Sequence, residues 1–373
     1  MVRVQMLILF LGLFYFRSSA QDRYIFKGVV MDAETKETLP FASVFMANTT
    51  FGTVSNEKGE FSIDVRNAGS YDLIVKFAGY ATYARSFQIF EPLEIELDIQ
   101  LTVETRFIGG VTVTAKKDEE WRRNLESFKK GFLGTSPFAE QCKILNEDKI
   151  DFYYDAENNV FEAFAKEPLI IENRALGYRL KYILEEYKVF NRERYMRFYG
   201  FPVFEELKEG KEPRKRWLNN REMAYHGSTD HFFSALFNNK LKEEGYAVQP
   251  ARKEDGKMYL DKNEMDLFSL VSEGSNQNSK RLSFENWLFV TYKGGKSRFG
   301  RNSSNGRITV SSGTVMGNNP VSEVRMFEGK TFVEFESNGY VYNPLDYVVN
   351  GYWSNQKVGD LMPINYVQIR GVK

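Results

Sequence analysis

The chain has only two histidines in 373 residues, and they stand close together, His226 and His231 in Y-H-G-S-T-D-H. Imidazole is the usual general base near neutral pH and a usual zinc ligand. Ser228 and Asp230 lie between them, so this stretch gathers a candidate nucleophile, acid and base. A nucleophile elbow wants G-x-S-x-G on a strand-to-helix turn, whereas this stretch joins two helical patterns. The simpler expectation is that Ser228 caps the second helix, with Asp230 and His231 near its positive end. Neither H-E-x-x-H nor H-x-x-E with a later His occurs. Glu222 with His226 could offer two ligands on a helix, which do not make a catalytic metal site. No enzyme, metal or cofactor is therefore expected, and Ser228, Asp230 and His231 are the residues to mutate first if one exists.

Other patterns with chemical meaning read as structure. GTVMGNN (313–319) lacks the lysine and following Ser/Thr of a P-loop, and GRITVSSG carries no dinucleotide fingerprint. The basic run RKRW (214–217), flanked by Glu212 and Glu222, reads as a solvated helix face. Cys142 is the only cysteine, so no internal disulfide can form, and its expected role is a small buried apolar side chain. The 50 basic and 50 acidic residues cancel, so no whole-chain field selects nucleic acid. Tyr, Phe and Trp make up 15% of the chain, which suits a β-rich core and equally a sugar-stacking surface.

These residues need elements to position them. Residues 1–20 carry Arg3, an apolar run from Val4 to Phe16 and the small residues Ser18-Ser19-Ala20, the pattern of a cleaved signal peptide. The run is shorter than the ~20 residues that cross a bilayer. Gln21 follows the expected cut where lipid attachment would need Cys. Export is expected, to the periplasm or the outer membrane, with no transmembrane segment in the mature chain.

From Tyr24 to Leu101 the dominant period is two. Leu93, Ile95, Leu97, Ile99 and Leu101 alternate with Glu94, Glu96, Asp98 and Gln100, as on strands with one buried face. Short strands at this spacing predict an antiparallel sandwich. In TVSNEKGEFSIDV (53–65), Asn56 can accept a backbone hydrogen bond and Gly59 can take a positive φ, so the pair makes a structural turn that sends Phe61 into the core.

With those residues in view, KGVVMDAETKETLPFASVFMANTTFGTVSNEKGEFSIDV followed by FAGY (77–80) resembles the carboxypeptidase regulatory-like domain. The resemblance rests on G-x-V-x-D-x-x-T, L-P-x-A-x-V, N-x-x-G-x-F and the closing G-Y. It implies a transthyretin-like seven-stranded β-sandwich over residues 21–115 and does not imply peptidase activity. Asn56 stands where the family often has Asp, which removes the charge a cation site would want. FIGGVTVTAKK (107–117) is similar to the strand after this module in TonB-dependent outer-membrane transporters, although no barrel follows.

Residues 116–373 predict an α+β domain with a large antiparallel sheet. Trp121, Leu125, Phe128 and Phe132 form a helical stripe that Gly131 and Gly134 should stop. Ser136-Pro137 should open a second helix carrying Cys142 and Leu145. Two more helices should lie between 213 and 244. With GTSPFAEQCKILN (134–146), EPLIIENRALGY (167–178), YHGSTDHFF (225–233) and GYWSNQKVGDLMPINY (351–366) in view, this region resembles the body of exported bacterial proteins known only by their regulatory-like N-terminal domain. The expected function is a non-enzymatic interaction protein with a protein partner at the outer membrane. The alternatives are a polysaccharide- or peptide-binding module, or an unrecognised hydrolase.

Overall fold

The computed structural model describes residues 23–104, 118–208, 210, 214–255, 257–295, 308–310, 313–315 and 319–366. The expected signal peptide and the 107–117 segment lie outside the described residues. Strands dominate the described chain, with one sheet-rich unit at the N-terminus and a further sheet-rich region after it.

Seven strands build the N-terminal unit: β1 (Tyr24–Asp32), β2 (Ser43–Met46), β3 (Gly52–Val54), β4 (Glu60–Val65), β5 (Gly69–Lys76), β6 (Tyr83–Ile89) and β7 (Leu93–Leu101). They form a three-stranded sheet, β4-β1-β7, facing a four-stranded one, β3-β2-β5-β6. Alternation works as expected on β4, where Phe61, Ile63 and Val65 are buried between exposed Glu60, Ser62 and Asp64. Phe26, Val30, Val44, Leu73 and Val75 fill the core. One pairing departs from the antiparallel reading, because β1 and β7 run parallel from Tyr24 opposite Leu93 to Asp32 opposite Leu101. A period of two sets which face is buried and carries no strand direction.

Helix α1 (Glu119–Phe132) opens the next body, with Asp118 accepting from the Trp121 N–H at 3.0 Å. Leu125, Phe128 and Phe132 are buried, worth roughly 1.5–3 kcal/mol each. Gly131 does not stop this helix. It lies inside α1, and a Cβ there would come within 2.2 Å of the Tyr187 hydroxyl, so the glycine admits the tyrosine. The helix packs on a six-stranded sheet made of β8 (Cys142–Ile144), β9 (Ile150–Asp155), β10 (Val160–Ala165), β11 (Leu169–Asn173), β12 (Tyr178–Phe190) and β13 (Tyr195–Glu206). The second helix expected after Ser136-Pro137 shrinks to one 3-10 turn at Ala139–Gln141. Ser136 Oγ accepts from the Ala139 N–H at 3.1 Å ahead of this turn, whose N-cap is Phe138, and pairing of Cys142 with Asn173 draws the chain into β8.

Helices α2 (Lys215–Tyr225) and α3 (Thr229–Phe237) lead into the last body. Its strands are β14 (Tyr246–Glu254), β15 (Lys257–Leu260), β16 (Val271–Glu273), β17 (Ser279–Leu282), β18 (Trp287–Tyr292), β19 (Ile308–Val310), β20 (Gly313–Val315), β21 (Val321–Met326), β22 (Val333–Glu336) and β23 (Tyr347–Gly351), followed by α4 (Tyr352–Asn355). Seven of them form the sheet β20-β19-β15-β14-β18-β21-β23, and three form β16-β17-β22. The sheet-rich region expected after residue 116 thus consists of a six-stranded, a seven-stranded and a three-stranded sheet. The two bodies have separate cores, Phe128, Phe132 and Leu180 in one and Phe232, Phe233, Phe335 and Trp353 in the other. Hydrophobic alternation marks strands without saying which of them share a sheet.

The sandwich is joined to both bodies. Phe45, Ala47 and Ile74 pack on Ile183 and Val203 in an apolar seam, and the Asn48 N–H donates to the Pro202 carbonyl at 2.7 Å. Against the last body the contacts are polar. Tyr340 donates to Asp72 at 2.8 Å, and the buried Glu336 accepts from the Tyr342 hydroxyl at 2.8 Å and the Ser70 N–H at 3.2 Å.

Candidate functional site

At the Asn56–Gly59 turn, the Asn56 Oδ1 accepts from the N–H groups of Lys58 and Glu60 at 2.9 and 3.0 Å, and its Nδ2 donates to Glu60. Gly59 takes φ +75°, and a Cβ there would sit 2.7 Å from the Val30 carbonyl oxygen. Phe61 is buried beyond it. Both polar atoms of the Asn56 side chain take part in shaping the turn.

The 226–231 stretch forms the corner between α2 and α3. Ser228 Oγ accepts from the His231 backbone N–H at 3.1 Å, the geometry of a helix N-cap. Neither imidazole nitrogen of His231 faces that hydroxyl. Nδ1 accepts from the Gly227 N–H at 3.1 Å and lies 3.0 Å from the Tyr246 hydroxyl, while Nε2 lies 3.3 Å from Glu244. An acceptor role at Nδ1 places the proton on Nε2, so the ring is the neutral tautomer donating to Glu244. Burial, reinforced by the neighbouring His226, lowers its pKa to about 4. Ser228 and His231 therefore touch through a backbone amide and lack the contact that would activate a nucleophile.

Asp230 stands in the first turn of α3, half-buried, and desolvation raises its carboxyl to about 6 even though the helix dipole favours the anion there. His226 Nε2 lies 3.3 Å from Glu222, whose other oxygen accepts from the Tyr366 hydroxyl at 2.7 Å. Among the described residues no three His, Cys, Asp or Glu side chains could together hold a metal ion. In RKRW only the three basic residues are exposed. Trp217 is buried and donates through Nε1 to the Arg174 carbonyl at 3.0 Å. Cys142 is half-buried, and desolvation pushes its thiol up to about 12, away from reactivity.

One residue inside the quoted motifs behaves unlike its neighbours. Phe41 in L-P-x-A-x-V takes φ +64° and leaves 66% of its surface exposed. A left-handed conformation costs a residue with a Cβ roughly 1–2 kcal/mol, and burial returns little of that here. The turn enforces it through Ser55, itself 1% exposed. The Ser55 hydroxyl accepts from the Ala42 N–H and donates to the Leu39 carbonyl, both at 2.8 Å. Its carbonyl accepts from the Phe41 N–H at 3.0 Å. Beside this turn Val54 is 47% exposed, so the end of the sandwich carries two apolar side chains into solvent. Nothing in the residue type of Phe41 signals a positive φ; the one signal in the sequence is a Phe directly after Pro40 in a motif otherwise explained by turns.

A family model described as CarboxypepD_reg-like domain matches residues 26–113. The N-terminal sandwich is similar to the CarboxypepD_reg-like domain. The match takes in the strands from β1 to β7, with the Asn56–Gly59 turn and Phe41 inside the domain. No curated protein matches the chain. Solved structures similar to parts of it include the C-terminal domain of the shaft pilin SpaA from Lactobacillus rhamnosus GG, at 18% identity and TM-score 0.18, covering 22% of this chain and 98% of that one. A cohesin–X-dockerin complex from Acetivibrio cellulolyticus is similar at 21% identity and TM-score 0.19, covering 30% and 76%. A DUF3823 family protein from Parabacteroides merdae is similar at 10% identity and TM-score 0.16, covering 50% and 79%. Scores this low carry no weight for fold or function. Among the described residues no helix is long and apolar enough to cross a membrane.

Proposed function

We propose that the chain is an exported, non-enzymatic interaction protein of the periplasm or outer membrane, whose CarboxypepD_reg-like domain holds a protein partner through the Phe41 end of the sandwich. The observation that carries this reading is Phe41 itself, a large apolar side chain held outward in a costly backbone conformation by a buried serine. Strain of this kind is retained where a function needs the side chain's direction, and exposed aromatic anchors supply much of the energy of protein interfaces. Use of Ser228, His231 and Asn56 in backbone hydrogen bonds supports a role other than catalysis. Signal-peptide patterning at residues 1–20 supports export.

A photo-crosslinking amino acid at position 41, with position 57 on the neighbouring turn as control, tests the reading in cells. Partner adducts at 41 and not at 57 are expected, and equal or absent adducts at both would refute it. A second reading, glycan binding, is favoured by Tyr195 and Tyr199, which stand exposed on β13 beside a Phe190–Tyr195 ring stack with centroids 4.5 Å apart. Aromatic faces of this kind suit sugar rings. Affinity electrophoresis on immobilised polysaccharides distinguishes the two readings, since Tyr199→Ala would release retention that Phe41→Gly leaves intact.

A further inference from the structure

The two histidines sit where the chain passes from one body to the other. Helix α2 is bound to the six-stranded body: the buried Arg221 donates to the Leu176 carbonyl at 2.8 Å, Asn220 donates to the Ala175 carbonyl at 2.7 Å, and Ala224 lies in that body's core. Helix α3 belongs to the other body through Phe232, Phe233 and Leu236. Between them the corner is held by the Gly227 N–H donating to His231 Nδ1 and by Trp353 Nε1 donating to the Gly227 carbonyl at 2.8 Å. His226 and His231 meet edge to face with ring centroids 4.9 Å apart.

We infer that this corner is an acid-sensitive joint, in which protonation of His231 breaks the Gly227–His231 hydrogen bond and loosens α3 from α2. The reason is directional. Protonated Nδ1 becomes a donor, and the Gly227 N–H opposite it is also a donor, so the two hydrogens oppose each other. Several groups set the balance. Glu244, following α3, favours the charged ring. Burial disfavours it, as does any charge on His226. Tyr225 and Glu222 of α2 and Asp230 of α3 stand nearby, Tyr246 of β14 and Tyr292 of β18 pack on the ring, and Tyr366 engages Glu222. The sign follows from a pKa lower in the closed joint than in the open one. Closure is fully favoured above about 6.5 and weakens as pH falls toward about 4. The change is confined to the corner, because the sandwich contacts and the packing of Val358 and Met362 in the core of the six-stranded body continue to tie the two bodies together.

Hydrogen exchange by mass spectrometry on the full chain, corrected for intrinsic rates, tests this. Between pH 7.5 and 5, protection of peptides over residues 225–232 should fall about 25-fold, the ratio set by values of about 6.5 in the open joint and about 4 in the closed one. Peptides from α1 should change little. His231→Gln, neutral at both pH values, should abolish the difference. Should that variant fail to fold, the half-exposed His226→Gln should fold and shrink the difference, because His231 would then accept its proton more readily while closed. Loss of protection that is uniform along the chain, or unaltered in both variants, would overturn the inference.

Discussion

The Tyr80 hydroxyl donates to Asp32 Oδ2 at 2.6 Å, joining residues 48 apart in sequence and tying the closing G-Y of the sandwich to the Asp of its opening motif. Asp32 Oδ1 also accepts from the N–H groups of Glu34 and Thr35, at 2.7 and 2.8 Å. One carboxylate therefore holds the turn after β1 and the loop before β6 together.

That arrangement sets a pH dependence. The Tyr80 hydrogen bond, then those from Thr35 and Glu34, lower the Asp32 carboxyl to about 2. A lowered folded value means that the stabilisation is complete above about 4 and is lost as pH falls toward 2. Tyr80→Phe removes the largest cause, so its acid unfolding midpoint, followed by near-ultraviolet circular dichroism, should move to higher pH. An unmoved midpoint would show that the bond contributes nothing.

Ser228 acts as a cap in this account. Ser228→Ala should destabilise the protein by about 1 kcal/mol in urea unfolding, while Ser228→Asp, which can accept the same hydrogen bond, should restore most of the loss. Wild-type stability in Ser228→Ala would contradict the cap. A hydrolytic activity lost in Ser228→Ala and not restored by Ser228→Asp would reopen the catalytic reading.

The apolar seam between Ile74 and Val203 should govern attachment of the sandwich. Ile74 is fully buried and Val203 nearly so, and a carboxylate placed there loses its hydration without a partner. Val203→Asp should let limited proteolysis release an intact N-terminal fragment under conditions in which the wild type stays whole. Equal resistance of the two proteins would mean that the polar contacts around Glu336 suffice.

Phe41 separates stability from function. Phe41→Gly relieves the left-handed backbone, so thermal unfolding should show stability unchanged or raised by up to about 1 kcal/mol. A loss of stability would mean that the ring packs within the fold and is no free anchor.

How much of this was readable from sequence differs by element. The sandwich was legible because its turns carry their own chemistry, Asn56 and Gly59 above all, and because β4 and β7 alternate cleanly. The parallel β1–β7 pair was not, since strand direction depends on where the chain returns after some sixty residues. Helix α1 was legible from its stripe, but Gly131 was misread because its reason is Tyr187, a contact invisible in one dimension. Beyond residue 116, strand signals were sound, whereas the division into two cores depends on which strands share a sheet. The role of Ser228 could be read locally because an N-cap is a local structure; the binding of Nδ1 by Gly227 and of Nε2 by Glu244 could not.

The central claim is that the Phe41 end of the sandwich holds a protein partner. Quantitative co-purification from solubilised outer membrane, with wild type and Phe41→Gly expressed at equal levels, tests it most directly. A defined partner recovered with wild type and reduced at least tenfold with Phe41→Gly is the predicted result. The same partners at the same yield in both, or a wild-type protein that elutes alone, would contradict it.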